Sequence, residues 1–447
     1  MTELQTDPDL AERGNLPAEG QFFRTGNYAP VDDELTEFDL EVDGAIPADL
    51  DGWYLRNGPN PRQATAHWFT GDGMIHGVRI EKGGAAWYRN RWVQTDSFKS
   101  DFPLYGADGT RNLHASKANT HVVNHAGKTL ALVESSLPYE VTNDLETIGA
   151  YDFGGKLVDS MTAHPKICPT TGEMHFFGYG NIFTPHVTYH RVNADGELVI
   201  NRPVDVPALT MMHDFALTAG HVIFMDLPIV FNLDVALKGG GDMPYRWDDN
   251  YGARLGVLRR DDPFGEIRWF DIDPCYVFHV ANSYDVGDSI VLQAVRYPEL
   301  WRDNGGFEAQ GVLWSWTLNL ASGTVSERQL DDRSIEFPRI DDRLAGLPAR
   351  YSVSVAGDSL IRYDLTNGAA QEHSFGKGGP GEAVFVPSTS GPADESNGYY
   401  LGYVYDPARN GSDLVILDAA DFAGDPLARI KLPHRVPYGF HGNWVTS

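Results

Sequence analysis

Short runs of β-forming residues, each followed by a turn rich in glycine, aspartate or asparagine, repeat along almost the whole sequence. Residues 75–80 are followed by Glu81-Lys82-Gly83-Gly84, and Val187–Val192 by Asn193-Ala194-Asp195-Gly196. Such runs, bounded by such residues, are typical of strands joined by tight turns. Two or three strands, a turn and a further strand recur over about 50 residues, a pattern that favours a β-propeller.

This rhythm begins near residue 36 and continues to the end of the chain. Two tandem β-sandwiches would show a linker near the middle, and the sequence has none. We therefore predict an all-β fold, with one β-propeller domain of six to eight blades over residues 36–447. Residues 1–35 are predicted to form a partly disordered N-terminal arm. Short helices are predicted only at residues 235–238 and 419–422.

The charge balance limits the possible partners. The chain has 35 basic and 62 acidic residues, a net charge of −27. Nucleic acid is excluded as a partner because no basic stripe could neutralise phosphates, and strong electrostatic attachment to anionic lipid is disfavoured. Cys168 and Cys275 are the only cysteines, which indicates a reducing compartment. With an acidic, polar N-terminus and no apolar window of about 18 residues, the predicted location is cytoplasmic.

Four histidines lie among small, apolar or aromatic residues, apart from the charged segments: His164, His213, His279 and His441. The run around His213 otherwise reads as a buried strand. Because the innermost strand of each propeller blade lies along the central axis, one side chain per blade can face a common centre. The histidine spacings of 49, 66 and 162 residues fit one blade, one enlarged blade and several blades.

Neutral imidazole is a good ligand for iron, copper, zinc and nickel. Carboxylates that accept the remaining ring N–H commonly orient such ligands. Acidic residues in strand-like apolar contexts are the candidates for that role: Glu134, Glu336 and Glu382. At this stage the alternative, that the histidines are buried and hydrogen-bonded for structural reasons, stays open.

Nine ordered motifs between about Phe38 and Trp444 resemble the carotenoid cleavage oxygenases. That family includes bacterial apocarotenoid oxygenases, lignostilbene dioxygenases and the vertebrate retinoid isomerohydrolase. Motifs that carry the resemblance include Trp53-Tyr54-Leu55-Arg56-Asn57-Gly58-Pro59-Asn60-Pro61, Ala118-Asn119-Thr120, Ala163-His164-Pro165-Lys166, Met212-His213-Asp214-Phe215, Phe278-His279-Val280-Ala281-Asn282, Glu336-Phe337-Pro338, Glu382-Ala383-Val384-Phe385-Val386-Pro387 and Phe440-His441-Gly442.

The resemblance implies a seven-bladed β-propeller with a cap of loops and short helices over an axial Fe(II) site. The implied iron ligands are His164, His213, His279 and His441. Glu134, Glu336 and Glu382 match the carboxylates behind the ligands, and His164 is implied to be the ligand without one. Thr120 matches a threonine whose methyl group crowds an open coordination position. The implied reaction inserts both atoms of O₂ across one C=C bond and gives two carbonyl products, without an organic cofactor.

Val133 bears on the substrate. Family members that cleave phenolic alkenes carry a lysine there, so an apolar residue favours a carotenoid or apocarotenoid. Cleavage of a stilbene or phenylpropanoid alkene by the same iron centre stays open, as do isomerisation without O₂ and a non-catalytic binding propeller. Residues 228–237, from Pro228 to Leu237, resemble an apolar patch that touches membranes transiently, although a buried cap segment would have the same composition.

Overall fold

Strands dominate the part of the chain that the computed structural model describes, residues 22–447 without residues 64, 66, 101, 239–242 and 303–308. Residues 1–21, for which the sequence predicts partial disorder, lie outside the described residues. The chain begins with two arm strands and three strands of the first blade: β1 (Thr36–Glu37), β2 (Val42–Gly44), β3 (Gly52–Pro59), β4 (Gly73–Glu81) and β5 (Gly84–Trp92).

Helix α1 (Asp96–Lys99) and a long loop lead to blades 2 and 3. Blade 2 contains β6 (His121–His125), β7 (Lys128–Leu132), β8 (Tyr139–Val141) and β9 (Thr147–Ala150). Blade 3 contains β10 (Lys166–Ile167), β11 (Met174–Tyr179), β12 (Val187–Val192) and β13 (Leu198–Val204). In each of these sheets neighbours along the chain pair antiparallel, from the axis outward.

Blade 4 is interrupted by an insertion. Its strands and the inserted elements are β14 (Phe215–Leu217), β15 (His221–Asp226), β16 (Ile229–Phe231), α2 (Leu233–Lys238), β17 (Tyr245–Trp247), β18 (Arg254–Arg259) and β19 (Arg268–Asp271). β15 pairs directly with β18, while β16 and β17 form a separate two-stranded sheet. The inserted residues account for the longer spacing between the histidines of blades 4 and 5.

The remaining blades follow without such an interruption. Blade 5 contains β20 (Tyr276–Val286), β21 (Ser289–Tyr297), β22 (Val312–Asn319) and β23 (Thr324–Gln329), and blade 6 contains β24 (Glu336–Arg339), β25 (Tyr351–Ala356), β26 (Ser359–Asp364) and β27 (Ala370–Ser374). Blade 7 contains β28 (Gly379–Pro380), β29 (Val384–Pro387), β30 (Gly398–Asp406), β31 (Gly411–Asp418) and β32 (Ala428–Lys431), and β33 (Gly442–Thr446) comes last.

Two strand pairings close the ring. The last strand, β33, pairs with β3 and becomes the innermost strand of blade 1. The arm strand β2 pairs with β32 and becomes the outermost strand of blade 7. Seven sheets of four or more strands result, which confirms the prediction of a seven-bladed β-propeller.

Burial explains why only some strands alternate in sequence. Inner strands are covered on both faces by neighbouring blades, and every residue of β11 is buried. Outer strands have one solvent face, so in β13 the buried Leu198 and Ile200 alternate with the exposed Val199. The largest apolar cluster lies between blades 3 to 6 and includes Phe177, Phe215, Phe224 and Trp316.

Two local predictions were wrong. Residues 419–422 form a turn instead of a helix, within the nine residues that connect β31 to β32. Around His213, regular pairing starts only at Phe215. The Asp214 carboxylate accepts the Phe215 N–H (2.7 Å) and the Val280 N–H (2.8 Å), which takes the place of strand pairing at that point.

The described helices are short. Helix α2 has six residues, and no helix of the described part is long and apolar enough to cross a membrane.

Candidate metal centre

The four histidines singled out in the sequence lie at the axis, on the innermost strands of four blades. His164 precedes β10 of blade 3, His213 precedes β14 of blade 4, and His441 precedes β33 of blade 1. His279 lies inside β20 of blade 5, where the strand register is irregular between Val277 and Asn282. Strand ends and bulges free a side chain from the regular alternation, so it can turn toward the axis.

The imidazoles converge on one point. The Nε2 atoms of His164 and His213 are 3.0 Å apart, and those of His213 and His279 are 3.4 Å apart. Possible ligand atoms of these three residues all lie within 4.8 Å of one another. The His441 ring centroid is 4.6 Å from that of His164 and 4.7 Å from that of His279.

Three carboxylates, one from each of the other three blades, lie next to the Nδ1 atoms of three of these rings. Glu134 Oε1 lies 2.5 Å from His213 Nδ1, Glu336 Oε2 lies 2.5 Å from His279 Nδ1, and Glu382 Oε1 lies 2.9 Å from His441 Nδ1. Each of the seven blades thus contributes one group to the centre. Within the described residues no carboxylate contacts His164. The resemblance likewise implies that His164 is the ligand without a carboxylate behind it.

Each carboxylate accepts from a further side chain, the buried Tyr179 or Tyr297 or the half-buried Arg339. The Tyr179 hydroxyl donates to Glu134, and the Tyr297 hydroxyl donates to Glu336 Oε1 (2.8 Å). Arg339 donates to Glu382 Oε2 at 3.1 Å. Sequence reasoning did not find these three donors. No local signal marked them, because each donor lies 39 to 45 residues from the carboxylate that it contacts.

Burial favours the neutral, metal-binding form of two of the four rings. Burial lowers the pKa of His164 and His441 well below the ordinary imidazole value, and the neighbouring histidines lower it further. Burial acts in the same direction on His279, but the Glu336 carboxylate outweighs it and raises the pKa of His279. Conversely, burial would raise the pKa of Glu336, but the His279 ring holds it below its usual range. The Glu336 carboxylate therefore stays ionised and accepts from His279 Nδ1 (2.5 Å).

The donor set fits a metal ion. When Nδ1–H faces a carboxylate, a neutral ring has its lone pair on Nε2, and the Nε2 atoms of His213 and His279 face each other. Two such lone pairs at 3.4 Å repel unless a proton or a metal cation lies between them. Metal–imidazole bonds of about 2.1 Å at angles of 90–110° place their nitrogens about 3.0–3.4 Å apart, in agreement with the observed separations.

An apolar cavity of about 310 Å³ opens on one side of the histidines. Thr120 lies in its wall, and the Thr120 hydroxyl donates to Asn119 Oδ1 at 2.9 Å. His213, His279 and His441 form the cavity's inner end. Large apolar and aromatic side chains form most of the remaining wall: Tyr28, Trp68, Phe69, Leu104, Val133, Met211, Met243, Phe278, Phe337 and Phe440.

Several of these wall residues belong to loops between the blade strands. Tyr28 lies in the arm, Trp68 and Phe69 in the loop between β3 and β4, Leu104 after α1, and Met243 in the insertion of blade 4. These loops form the predicted cap on this side of the histidines.

A second cavity of about 400 Å³, here called the axial cavity, opens on the other side. His164, His279 and His441 reach it, whereas His213 does not. Its wall combines apolar residues such as Val123, Ile167 and Leu217 with polar ones: His121, Lys166, Asp214, Asn282, Ser283, Arg339, Asp342, Arg343, Glu382 and Asn443.

Phe337 separates the two cavities, because its side chain lines both. Its ring stacks on His279 with the centroids 5.2 Å apart. Its φ is 55°, a region that bulky residues rarely adopt. Strain of this kind persists only where the surroundings enforce it, and it clusters at functional sites.

Comparison with known proteins assigns a family. The model of the family described as retinal pigment epithelial membrane protein matches residues 28–446. A carotenoid cleavage oxygenase of Mycobacterium tuberculosis is 38% identical, over 94% of this chain and 97% of its own length. A carotenoid 9,10(9',10')-cleavage dioxygenase of Crocus sativus is 35% identical, over 95% of this chain and 89% of its own.

Solved structures with the same architecture include two enzymes. Cobalt-substituted Synechocystis apocarotenoid oxygenase superposes with a TM-score of 0.84 at 27% identity, covering 94% of this chain and 97% of its own. Pseudomonas brassicacearum lignostilbene dioxygenase superposes with a TM-score of 0.86 at 28% identity, covering 97% of this chain and 100% of its own.

Proposed function

The chain belongs to the carotenoid cleavage oxygenase family, and we propose that it is an Fe(II) dioxygenase that cleaves a C=C bond of a carotenoid or apocarotenoid. One observation carries the choice of substrate: the cavity that reaches the histidines is walled by aromatic and aliphatic side chains. A conjugated hydrocarbon chain fits such a wall because it needs no hydrogen-bonding partner along its length.

Val133 supports this choice. Its side chain is 9% exposed and lies in the cavity wall next to Glu134. A valine there offers no group that could hold a phenolate. The Tyr179 hydroxyl, which also lines the cavity, is already engaged with Glu134.

The residues of the chain divide the work of the reaction. His164, His213, His279 and His441 would hold the iron, which supplies the activation of O₂ for its insertion across the double bond. Glu134, Glu336 and Glu382 orient three of the rings through their Nδ1 atoms. Thr120 narrows the space beside the rings. The aromatic wall excludes water and positions the polyene. The two carbons of the cleaved double bond and the two oxygen atoms leave as two carbonyl groups.

We also propose that helix α2 touches the membrane from which an apolar substrate is taken. Leu233 and Leu237 are 61% and 75% exposed, on the insertion that also carries Met243 of the cavity wall. Because the protein has a net charge of −27, we expect this contact to be hydrophobic and reversible.

Flotation with neutral phosphatidylcholine vesicles tests the membrane contact. Wild-type protein should float with the vesicles even at high salt, and Leu237→Asp should stay in the soluble fraction. Val158→Asp is the matched control, since Val158 is 73% exposed but lies between blades 2 and 3. Equal flotation of all three proteins would remove the proposal.

To test the substrate, Fe(II)-loaded protein is incubated in air with β-carotene, a long apocarotenal or a hydroxystilbene, and the carbonyl products are identified by mass. We expect cleavage of a polyene, and the product masses give the position of the broken bond. Cleavage of the hydroxystilbene alone would replace this proposal with the phenolic alternative, to which the likeness to lignostilbene dioxygenase points.

A further inference from the structure

His164 is held differently from the other three histidines. Within the described residues, its imidazole has no carboxylate neighbour, and it faces the axial cavity. The backbone N–H of His164 donates to Thr162 Oγ1 (3.2 Å), and the carbonyl of the preceding residue, Ala163, accepts from His121 Nδ1 at 2.7 Å. The peptide that carries His164 is therefore attached to a side chain of blade 2.

His121 is a fifth histidine close to the centre. It is the first residue of β6, the innermost strand of blade 2, directly after Thr120. Its ring centroid lies 5.1 Å from that of His441 and 6.2 Å from that of His164. By distance alone it could be taken for a further metal ligand.

Its hydrogen bonds exclude that role. A carbonyl can only accept, so Nδ1 carries the proton that is given to Ala163. Nε2 then holds the lone pair, and Asn443 Nδ2 lies 3.2 Å from it. The orientation of the Asn443 amide follows from its other contacts, since Nδ2 also donates to the Val122 carbonyl (2.9 Å) and Oδ1 accepts from Arg339 (3.1 Å). The Asn443 amide thus occupies the lone pair that a metal would need.

The contacts continue to the opposite side of the centre. Arg339, which donates to Asn443, also donates to Glu382 Oε2 (3.1 Å), and Glu382 Oε1 holds His441. We propose that His121 is the positioning residue of His164: the Glu382–Arg339–Asn443–His121 chain holds the peptide that carries His164, whereas a carboxylate holds the ring of each of the other three histidines. This inference rests on the proposed metal centre.

His121→Phe tests the proposal, with His125→Phe as the matched control. Both histidines lie on β6, and each gives one ring N–H to a carbonyl of blade 3, His125 to Gly172 at 2.8 Å. Only His121 does so beside the metal centre. The readouts are Co(II) affinity, measured by competition with a chelator, and the visible absorption spectrum of the Co(II) protein.

We expect His121→Phe to weaken Co(II) binding by about 10–100-fold, the usual range for loss of a group behind a ligand, and to alter the Co(II) spectrum. His125→Phe should keep both properties of the wild type while losing a similar amount of thermal stability. His121→Gln, which keeps an N–H donor, should recover most of the affinity.

Other results would overturn the proposal in distinguishable ways. Unchanged Co(II) affinity and spectrum in His121→Phe would show that His164 needs no such support. Co(II) retained by His164→Ala but lost from His121→Phe would make His121 a ligand instead. Failure of the wild-type protein to bind Co(II) or Fe(II) would contradict the metal centre itself, on which the inference rests.

Discussion

The two cavities that meet at the histidines differ in the charges that they contain. The wall of the apolar cavity consists mainly of rings and methyl groups. The axial cavity combines apolar residues such as Ile167 with charges that are already paired, such as Lys166 with Asp214 (2.8 Å) and Arg339 with Glu382 (3.1 Å). The difference separates two tasks. Changes at the histidines, their carboxylates and the paired charges should affect metal binding or stability, and changes in the aromatic and aliphatic wall should affect the choice of substrate.

The largest effect should come from removing the imidazole of His213, which lies at the inner end of the apolar cavity. In His213→Ala we expect metal binding to be lost, because the side chain that approaches both His164 and His279 is gone. The fold should persist, since the blades are held by their own cores. Metal analysis and circular dichroism check this, and stoichiometric iron in the variant would contradict the ligand assignment.

Next in size is the axial ion pair. Asp214→Asn should destabilise the protein by about 3 kcal/mol, because Lys166 then lacks its charged partner in a largely buried position. Urea unfolding measures the loss. Asp226→Asn is the control. Asp226 pairs with Arg254, whose exposure is similar to that of Lys166, and this pair lies in blade 4, the blade of Asp214, but away from the histidines. Both variants should lose stability, and only Asp214→Asn should also bind metal more weakly.

A smaller effect is expected at the carboxylate that pairs with His279. Glu336→Gln should weaken metal binding about 10–100-fold, since the amide no longer provides the charge that orients His279. Competition with a chelator measures the affinity. An affinity equal to that of the wild type would remove Glu336 from the supporting residues, while Glu372→Gln, an exposed glutamate of blade 6, should change nothing.

The smallest change expected lies in the apolar wall. Val133→Lys should lower the ratio of polyene to hydroxystilbene turnover by about 10-fold, since the ammonium group can pair with a phenolate and is costly to bury beside a hydrocarbon. Val133→Leu, which keeps the wall apolar, should leave the preference unchanged. Metal content should be equal in both variants. An unaltered preference in Val133→Lys would show that this position does not select the substrate.

The part of the fold that local physics determines could be predicted from the sequence. Turn residues mark the strand ends, and four histidines in apolar surroundings mark the axis. The blade number did not follow from the pattern alone, because inner strands such as β11 are buried on both faces and do not alternate. The number seven came from the family resemblance.

The contacts between blades could not be predicted from the sequence without the fold. Glu134 approaches His213 across a separation of 79 residues, and Asn443 approaches His121 across 322. Such contacts depend on how neighbouring blades are placed, and no local pattern encodes that. His121 drew no attention in the sequence because its neighbours resemble those of any strand end.

The closing strand of the propeller has a mechanical consequence. His441 is the residue before β33, the strand that fastens the end of the chain onto β3. An ion held by His441 together with His164 and His279 would tie that strand to blades 3 and 5, so opening the ring would require breaking a coordination bond. Bound metal should therefore stabilise the closed ring, and chelation should allow β33 to detach at lower temperature or force than in the metal-loaded protein.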